Sequence, residues 1–127
     1  MIIEQVKTNK APEALGPYSQ GIKYNGLVYL SGQLGILPEV GSIVATNIKD
    51  EATQVFENLK NILKASNSSL DNSLKVTVYL KDINDFSIVN EVYAKYFKNK
   101  PARSLVEVSK LPKNANIEVD LIAKVDF

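Results

Sequence analysis

The chain has 127 residues, 45% hydrophobic and 23% charged, with 15 basic against 14 acidic side chains for a net charge of +1. That length and composition suit one globular domain, residues 1–127, and the near-neutral balance argues against a surface built to bind nucleic-acid phosphates or anionic lipid. Cysteine and histidine are both absent, which excludes disulfides, thiol nucleophiles and Ser-His-Asp or Cys-His machinery, and removes the usual zinc ligands.

The first twenty residues, MIIEQVKTNKAPEALGPYSQ, hold no basic start followed by a sustained apolar run, and they include Glu4 and Glu13. They do not read as a secretory signal or transit peptide. No stretch approaches the ~20 apolar residues of a membrane span, so the expectation is a cytoplasmic protein without a membrane partner. Gly16-Pro17-Tyr18-Ser19-Gln20-Gly21 is turn-forming. Ile22 to Asn25 and Leu27 to Ser31 flank Gly26 as a short hairpin. Ser31-Gly32-Gln33 follows, where Gly32 would let backbone N–H groups approach a ligand closely.

A helical stripe comes next: Ile48, Ala52, Val55, Phe56, Leu59, Ile62 and Leu63 recur at helical spacing. Asn47 is the expected N-cap, and Asp50 and Glu51 place negative charge in the first turn, where the macrodipole favours it. The polar run Ser66 to Ser69 ends this helix. Val76, Val78 and Leu80 then alternate with Lys75, Thr77 and Tyr79 as a strand. Phe86, Val89, Tyr93, Tyr96 and Phe97 form a second helical stripe, opened by Asn84 or Asp85 and stopped before Pro101. Two further strands follow, Ala102 to Val108 and Asn116 to Val125, and in the last one the parity of Ile117, Val119, Leu121, Ala123 and Val125 is wholly apolar.

This order predicts an α+β fold, a mixed sheet of about six strands with two helices on one face. The unit from about Lys75 to Glu107 should be a right-handed parallel crossover. Strand parity assigns Thr77, Tyr79, Arg103, Leu105, Glu107, Glu118, Asp120 and Ile122 to the helix-free face. A wet sheet face with stray hydrophobes would explain that mixture. So would a face that packs against other copies and lines a site between them.

Without His or Cys, the available chemistry is carboxylate, guanidinium, ammonium, hydroxyl, phenol and backbone. These groups suit already activated substrates, where positioning and water placement supply most of the catalysis. In Pro101-Ala102-Arg103 the proline ends the helix and Arg103 enters the strand. Its planar fork fits either a carboxylate ligand or an ion pair with Glu107, Glu118 or Asp120.

GPYSQG at 16–21, VYLSGQL at 28–34, KVTVYLKDINDFSIVNEVYAKYF at 75–97 and PARSLVEVSKLPKNANIEVDLIA at 101–123 together resemble the reactive intermediate deaminase (RidA) family, from about Ala14 to the end. The resemblance implies a homotrimer of chorismate-mutase-like subunits with a ligand cleft at each interface. It implies hydrolysis of 2-imino acids, formed from enamines such as 2-aminoacrylate, to 2-keto acids and ammonia, with no cofactor and no metal. Carried over residue by residue, the pattern makes Arg103 similar to the carboxylate-binding arginine and Glu118 to the carboxylate that orients water and manages protons. Tyr18, Ser31, Gly32 and Asn90 would complete the substrate pocket. One position departs from the pattern. Where the family commonly has cysteine, two residues after the arginine, this chain has Leu105, which replaces the bulk but not the weak hydrogen bond or the redox chemistry; this bears on substrate preference and on any thiol-based regulation.

The alternative is a non-catalytic trimer that binds a small carboxylate and reports on it; retention of both Arg103 and Glu118 favours the enzyme. RNA binding or cleavage is disfavoured by the balanced charge and the missing histidine.

Overall fold

The computed structural model describes residues 1–126. Eight strands and two helices follow in the order β1 (Glu4–Val6), β2 (Gly21–Tyr24), β3 (Leu27–Gln33), β4 (Ile36–Leu37), β5 (Ser42–Ile43), α1 (Ile48–Ala65), β6 (Ser73–Leu80), α2 (Phe86–Tyr96), β7 (Ala102–Glu107) and β8 (Ile117–Lys124). Six strands form one mixed sheet, ordered β1-β2-β3-β8-β6-β7, with β6 and β7 parallel. The small β4–β5 hairpin stands apart; it and β1 carry too little alternation to be read from the sequence.

Local chemistry explains the element ends. Between β2 and β3, Asn25 (φ 53°) and Gly26 (φ 78°) are both left-handed, as a two-residue hairpin turn matched to strand twist requires. At the start of α1 the Asn47 side chain accepts from the Asp50 amide at 2.9 Å, the expected cap. At its end Asn67 turns left-handed (φ 57°) while the Ser68 amide donates to the Leu63 carbonyl, closing the helix as a Schellman turn. At the other helix Asp85 occupies the N-cap position but makes no side-chain cap, and Asp82 caps the preceding 3-10 turn instead.

Both helices cover one face of the sheet. Val28, Leu30, Val76, Val78, Leu80, Ile117, Val119, Leu121 and Ala123 meet Val55, Phe56, Leu59, Ile62 and Leu63 of α1 and Val89, Val92 and Tyr93 of α2 in one buried cluster. The uninterrupted apolar parity of β8 therefore faces the helices, as its pattern requires. Phe56, Tyr93, Tyr96 and Phe97 interleave with ring centroids 4.4–5.9 Å apart. The Tyr96 hydroxyl donates to Glu57 of α1 at 2.7 Å, and burial together with that carboxylate pushes the phenol up to about 12. Among the described residues no helix is long and apolar enough to cross a membrane.

One parity assignment is corrected. Arg103 pairs with Val76, and Leu105 with Val78, so Arg103, Leu105 and Glu107 point to the helix side and not to the face that carries Glu118. The physical reason is the overhang of α2 on this edge strand. It offers Arg103 the rings of Phe86 and Tyr93, and the preceding turn offers Glu107 the Ile83 amide at 2.9 Å. A cation and a carboxylate are thus accommodated on a parity that elsewhere in the sheet is aliphatic. The open face carries Tyr29 on β3, Thr77 and Tyr79 on β6, Ser104 and Val106 on β7, and Glu118, Asp120 and Ile122 on β8.

Buried polar side chains fasten the loops to this frame. Glu51 of α1, 2% exposed, accepts from both the backbone and the side-chain amide of Asn116 at 2.8 and 2.9 Å, just before β8. Asn58, fully buried, donates to the Leu34 and Ile36 carbonyls after β3. Hydrogen bonds to a buried charge contribute about 1.5–3 kcal/mol each, and removing one partner strands the other. Glu51→Ala should therefore destabilise the fold by about 3 kcal/mol, read as a lowered urea midpoint at fixed protein concentration. A midpoint within error of the parent would show that the clasp is not structural.

Candidate functional site

Arg103 sits at the start of β7, beneath α2. Its Nη1 donates to Asn90 Oδ1 at 2.8 Å. Its guanidinium carbon lies 4.7 Å from the Tyr93 ring centroid and 5.7 Å from that of Phe86, within cation–π range. Phe86, Asn90 and Tyr93 are spaced four and three apart, so one stripe of α2 supplies all three contacts. Beside them opens a groove of about 610 Å³ whose lining includes Asn90, Tyr93, Lys98, Lys100 and Arg103 and no acidic side chain. Three cations without a carboxylate make this an anion-accepting groove. The Tyr93 hydroxyl is buried without a hydrogen-bond partner; burial raises its pKa, while the Arg103 charge pulls the other way. Half-buried Leu105 follows on the same side of the strand, against the core.

Glu118 lies on the opposite face, on β8. Across β3 from it, a bulge between Leu30 and Gln33 breaks the register with β8. There the backbone of Gly32 comes so close that an added Cβ would lie 2.5 Å from Glu118 Oε2. A side chain at this position would displace the Glu118 carboxylate from where it lies. On the other side Glu118 pairs with Tyr79 of β6, whose hydroxyl donates to Asp120 Oδ2 at 3.0 Å. Desolvation first, and the Asp120 charge second, raise the Glu118 pKa from its ordinary value. Such a carboxyl holds its proton more readily than a solvated one.

The loop before β2 is latched to the same edge of the sheet. Ser31 donates its hydroxyl to the Ser19 carbonyl and its amide to the Gln20 carbonyl. Gln20, 3% exposed, fixes the N-terminal loop, accepting from the Thr8 amide and donating to the carbonyls of Thr8, Ala11 and Pro12. Tyr18 remains 54% exposed at the tip.

The residues singled out from the sequence thus fall into two sets. Arg103, Asn90 and Leu105 are together on the helix side of the edge strand; Glu118 and Gly32 are together on the open face, with Ser31 tying in the loop of Tyr18. The sheet separates the sets. Two of these groups are already engaged within the chain: the Asn90 side-chain oxygen accepts from Arg103, and the Ser31 hydroxyl donates to the Ser19 carbonyl. The reading of the sequence missed Phe86, Tyr93, Tyr79, Asp120 and Gln20. The first two were legible as the turn-spaced neighbours of Asn90; the others depend on cross-strand and loop contacts that spacing does not carry. Among the described residues no three His, Cys, Asp or Glu side chains cluster so as to hold a metal ion.

A family model described as Endoribonuclease L-PSP matches residues 8–125. A RutC family protein of Pyrococcus horikoshii is 53% identical over 121 residues, 94% of this chain and 96% of the relative. The human 2-iminobutanoate/2-iminopropanoate deaminase is 44% identical over 124 residues, 97% of this chain and 90% of the relative. The crystal structure of Escherichia coli TdcF with bound serine superposes with a TM-score of 0.92 at 38% identity, covering 97% of this chain and 99% of that one.

The raised Glu118 pKa has a consequence for stability. The folded chain binds this proton more tightly than the unfolded chain, so stability falls as pH rises from the ordinary carboxylate pKa through the raised one. Glu118→Gln removes that loss. The variant should melt at a higher temperature than the parent at pH 7–8, with the gain vanishing near pH 4. A gain that is independent of pH, or absent throughout, would mean that Glu118 is no more strained as an anion than a surface carboxylate.

Proposed function

The chain belongs to the endoribonuclease L-PSP family, which includes the RutC and RidA proteins, and from that premise we propose that it is a RidA-type deaminase hydrolysing 2-imino acids, such as 2-iminopropanoate and 2-iminobutanoate, to 2-keto acids and ammonia. The observation that carries this reading is the pair of opposed groups: a guanidinium held by Asn90 and two aromatic rings in an acid-free groove, and a partly desolvated carboxyl whose pKa is raised. The human relative's name supports the reaction. The serine bound to the E. coli relative, a small amino carboxylate, is of the ligand class that Arg103 fits.

In this mechanism Arg103 clamps the substrate carboxylate through its fork, with Asn90, Phe86 and Tyr93 fixing the plane of the guanidinium. Glu118 takes a proton from water as oxygen bonds to the imine carbon. The C=N π pair moves to nitrogen, which receives the proton from Glu118, and a carbinolamine results. Glu118 then relays the hydroxyl proton to nitrogen as the C–N bond breaks, leaving keto acid and ammonia. Atoms balance as imine plus water, and Glu118 ends as it began.

Since Arg103 and Glu118 lie on opposite faces of one sheet, a substrate touching both must lie between two copies. The reading therefore includes a homotrimer with interfacial sites, each combining Arg103, Asn90 and Leu105 of one copy with Tyr18, Ser31, Gly32 and Glu118 of the next. Tyr29 and Val106, 43% and 45% exposed on the open face, are apolar surface that association would cover. It also retains the cytoplasmic location expected from the sequence.

Arg103→Lys keeps the charge but loses the fork, and should lower kcat/KM for imine hydrolysis about 10- to 100-fold while weakening calorimetric binding of an unreactive 2-keto acid. Glu118→Gln should reduce turnover far more than keto-acid binding. Undiminished binding by the first variant, or undiminished turnover by the second, would remove that residue from its role. Sedimentation at micromolar concentration should give a trimer; a monomer with full activity would sink the interfacial site.

A further inference from the structure

We propose that Tyr79 and Asp120 form a dyad that aims a fixed negative charge at Glu118 and so equips it to return protons as well as take them; this deepens the deaminase reading above and rests on it. Tyr79 stands directly opposite Glu118 in the β6–β8 ladder, and Thr77 stands opposite Asp120. The Tyr79 ring thus starts beside Glu118 and reaches diagonally to Asp120, where its hydroxyl donates at 3.0 Å. Diagonal reach of this kind is open to aromatic side chains on one sheet face. The phenol has one proton and spends it on Asp120, so the Asp120 carboxylate is fixed in direction. Glu118 and Asp120 are two residues apart on one strand, hence on the same face roughly 7 Å apart along the chain.

Among the described residues, the lysines in and just past β6 on this face donate to partners other than Glu118. From β3 the neighbours are Ser31, Gly32 and, further along, Tyr29; from β7 they are Ser104 and Val106, lying across β6 from β8. Lys75 of β6 lies opposite Ile122 and donates to Ser104 Oγ at 2.7 Å. Lys81, two residues past Tyr79, donates to Asn114 Oδ1 at 3.1 Å. In the proposed trimer the cation brought near Glu118 is Arg103 of a neighbouring copy, and the substrate carboxylate occupies it. Glu118 is therefore left facing one anion, its own Asp120.

The chemistry needs this. Twice in the cycle Glu118 must hand a proton to nitrogen, and a fully solvated carboxylate is too weak a base to carry it at neutral pH. A like charge nearby disfavours the ionised form and lets Glu118 hold the proton. Asp120 touches no reacting atom; it is a positioning residue acting through Glu118.

The experiment compares Asp120→Asn and Asp120→Ser, two neutral replacements of different shape, with Asp120→Glu, which keeps the charge. Two readouts are taken: the NMR titration of the Glu118 side-chain carboxyl, and the pH dependence of kcat for 2-iminopropanoate hydrolysis. Both neutral variants should shift the Glu118 titration and the whole pH–rate profile to lower pH, with D120E close to the parent. A residue serving only to hold the sheet would lower kcat without moving either midpoint. If the Glu118 titration is unchanged in a folded neutral variant, the dyad is overturned whatever the rates. If the parent hydrolyses no imine, the deaminase reading fails, and the carboxyl titration still decides whether Asp120 acts on Glu118.

Discussion

In a pleated strand consecutive side chains go to opposite faces, and here that alternation decides where chemistry can happen. Ile117, Val119, Leu121 and Ala123 are needed by the core, so Glu118 and Asp120 must stand on the face that no helix covers. Val76 and Val78 are likewise core, and the parallel register commits Arg103 and Leu105 to their side. No side-chain rotation brings a guanidinium through a six-stranded sheet to a carboxylate on its far face. A chain that uses both groups on one small molecule has to present them from different copies, so the association of copies proposed above follows from the pleat, while its number does not.

Each half of the site is held by a different kind of contact. Around Arg103 the support is aromatic and belongs to the core: Tyr93 stacks on Phe97 with centroids 4.4 Å apart and meets Phe56 edge-on. Around Glu118 the support is backbone, the close approach of Gly32 at the β3 bulge. That approach depends on loops fastened by Glu51, Asn58 and Gln20, which are buried polar side chains with their hydrogen bonds satisfied by main-chain groups, Asn116 or Gln54. Polar groups so placed cost more to leave unpaired than they return when paired. They act as register marks for the loops.

How much of this was legible in the sequence varies with the range of the interaction. The α1 stripe, the Asn47 cap, the Asn25-Gly26 turn and the apolar parity of β8 are local patterns, and the structure has all of them. The helix-side placement of Arg103 was not legible. Counting parity along β7 compares Ala102 and Ser104 with Arg103 and Leu105, and neither set is convincingly apolar; only the register against β6 and the α2 overhang decide. Gly32 could be marked as a place of close approach, but Glu118 as the group it approaches is a cross-strand fact. The resemblance names residues and carries no information on which face each occupies.

The division of the site has a bearing on how its specificity can change. A substitution at Tyr93 would disturb the guanidinium and the core together, so the surroundings of Arg103, the proposed carboxylate clamp, are tied to stability. Tyr18 is exposed on a loop fixed from behind by Gln20 and Ser31, and can vary without cost to the core. Leu105 lies between these cases, half-buried at the margin of the cluster on the clamp side. A leucine there adds apolar bulk on the same side of the strand as Arg103. In the proposed mechanism no step passes through that side chain, so its effect falls on which substrate side chain fits beside the clamped carboxylate and not on the proton transfers. In that mechanism the proton transfers fall to Glu118 and its neighbours on the far face, where no helix packs on them.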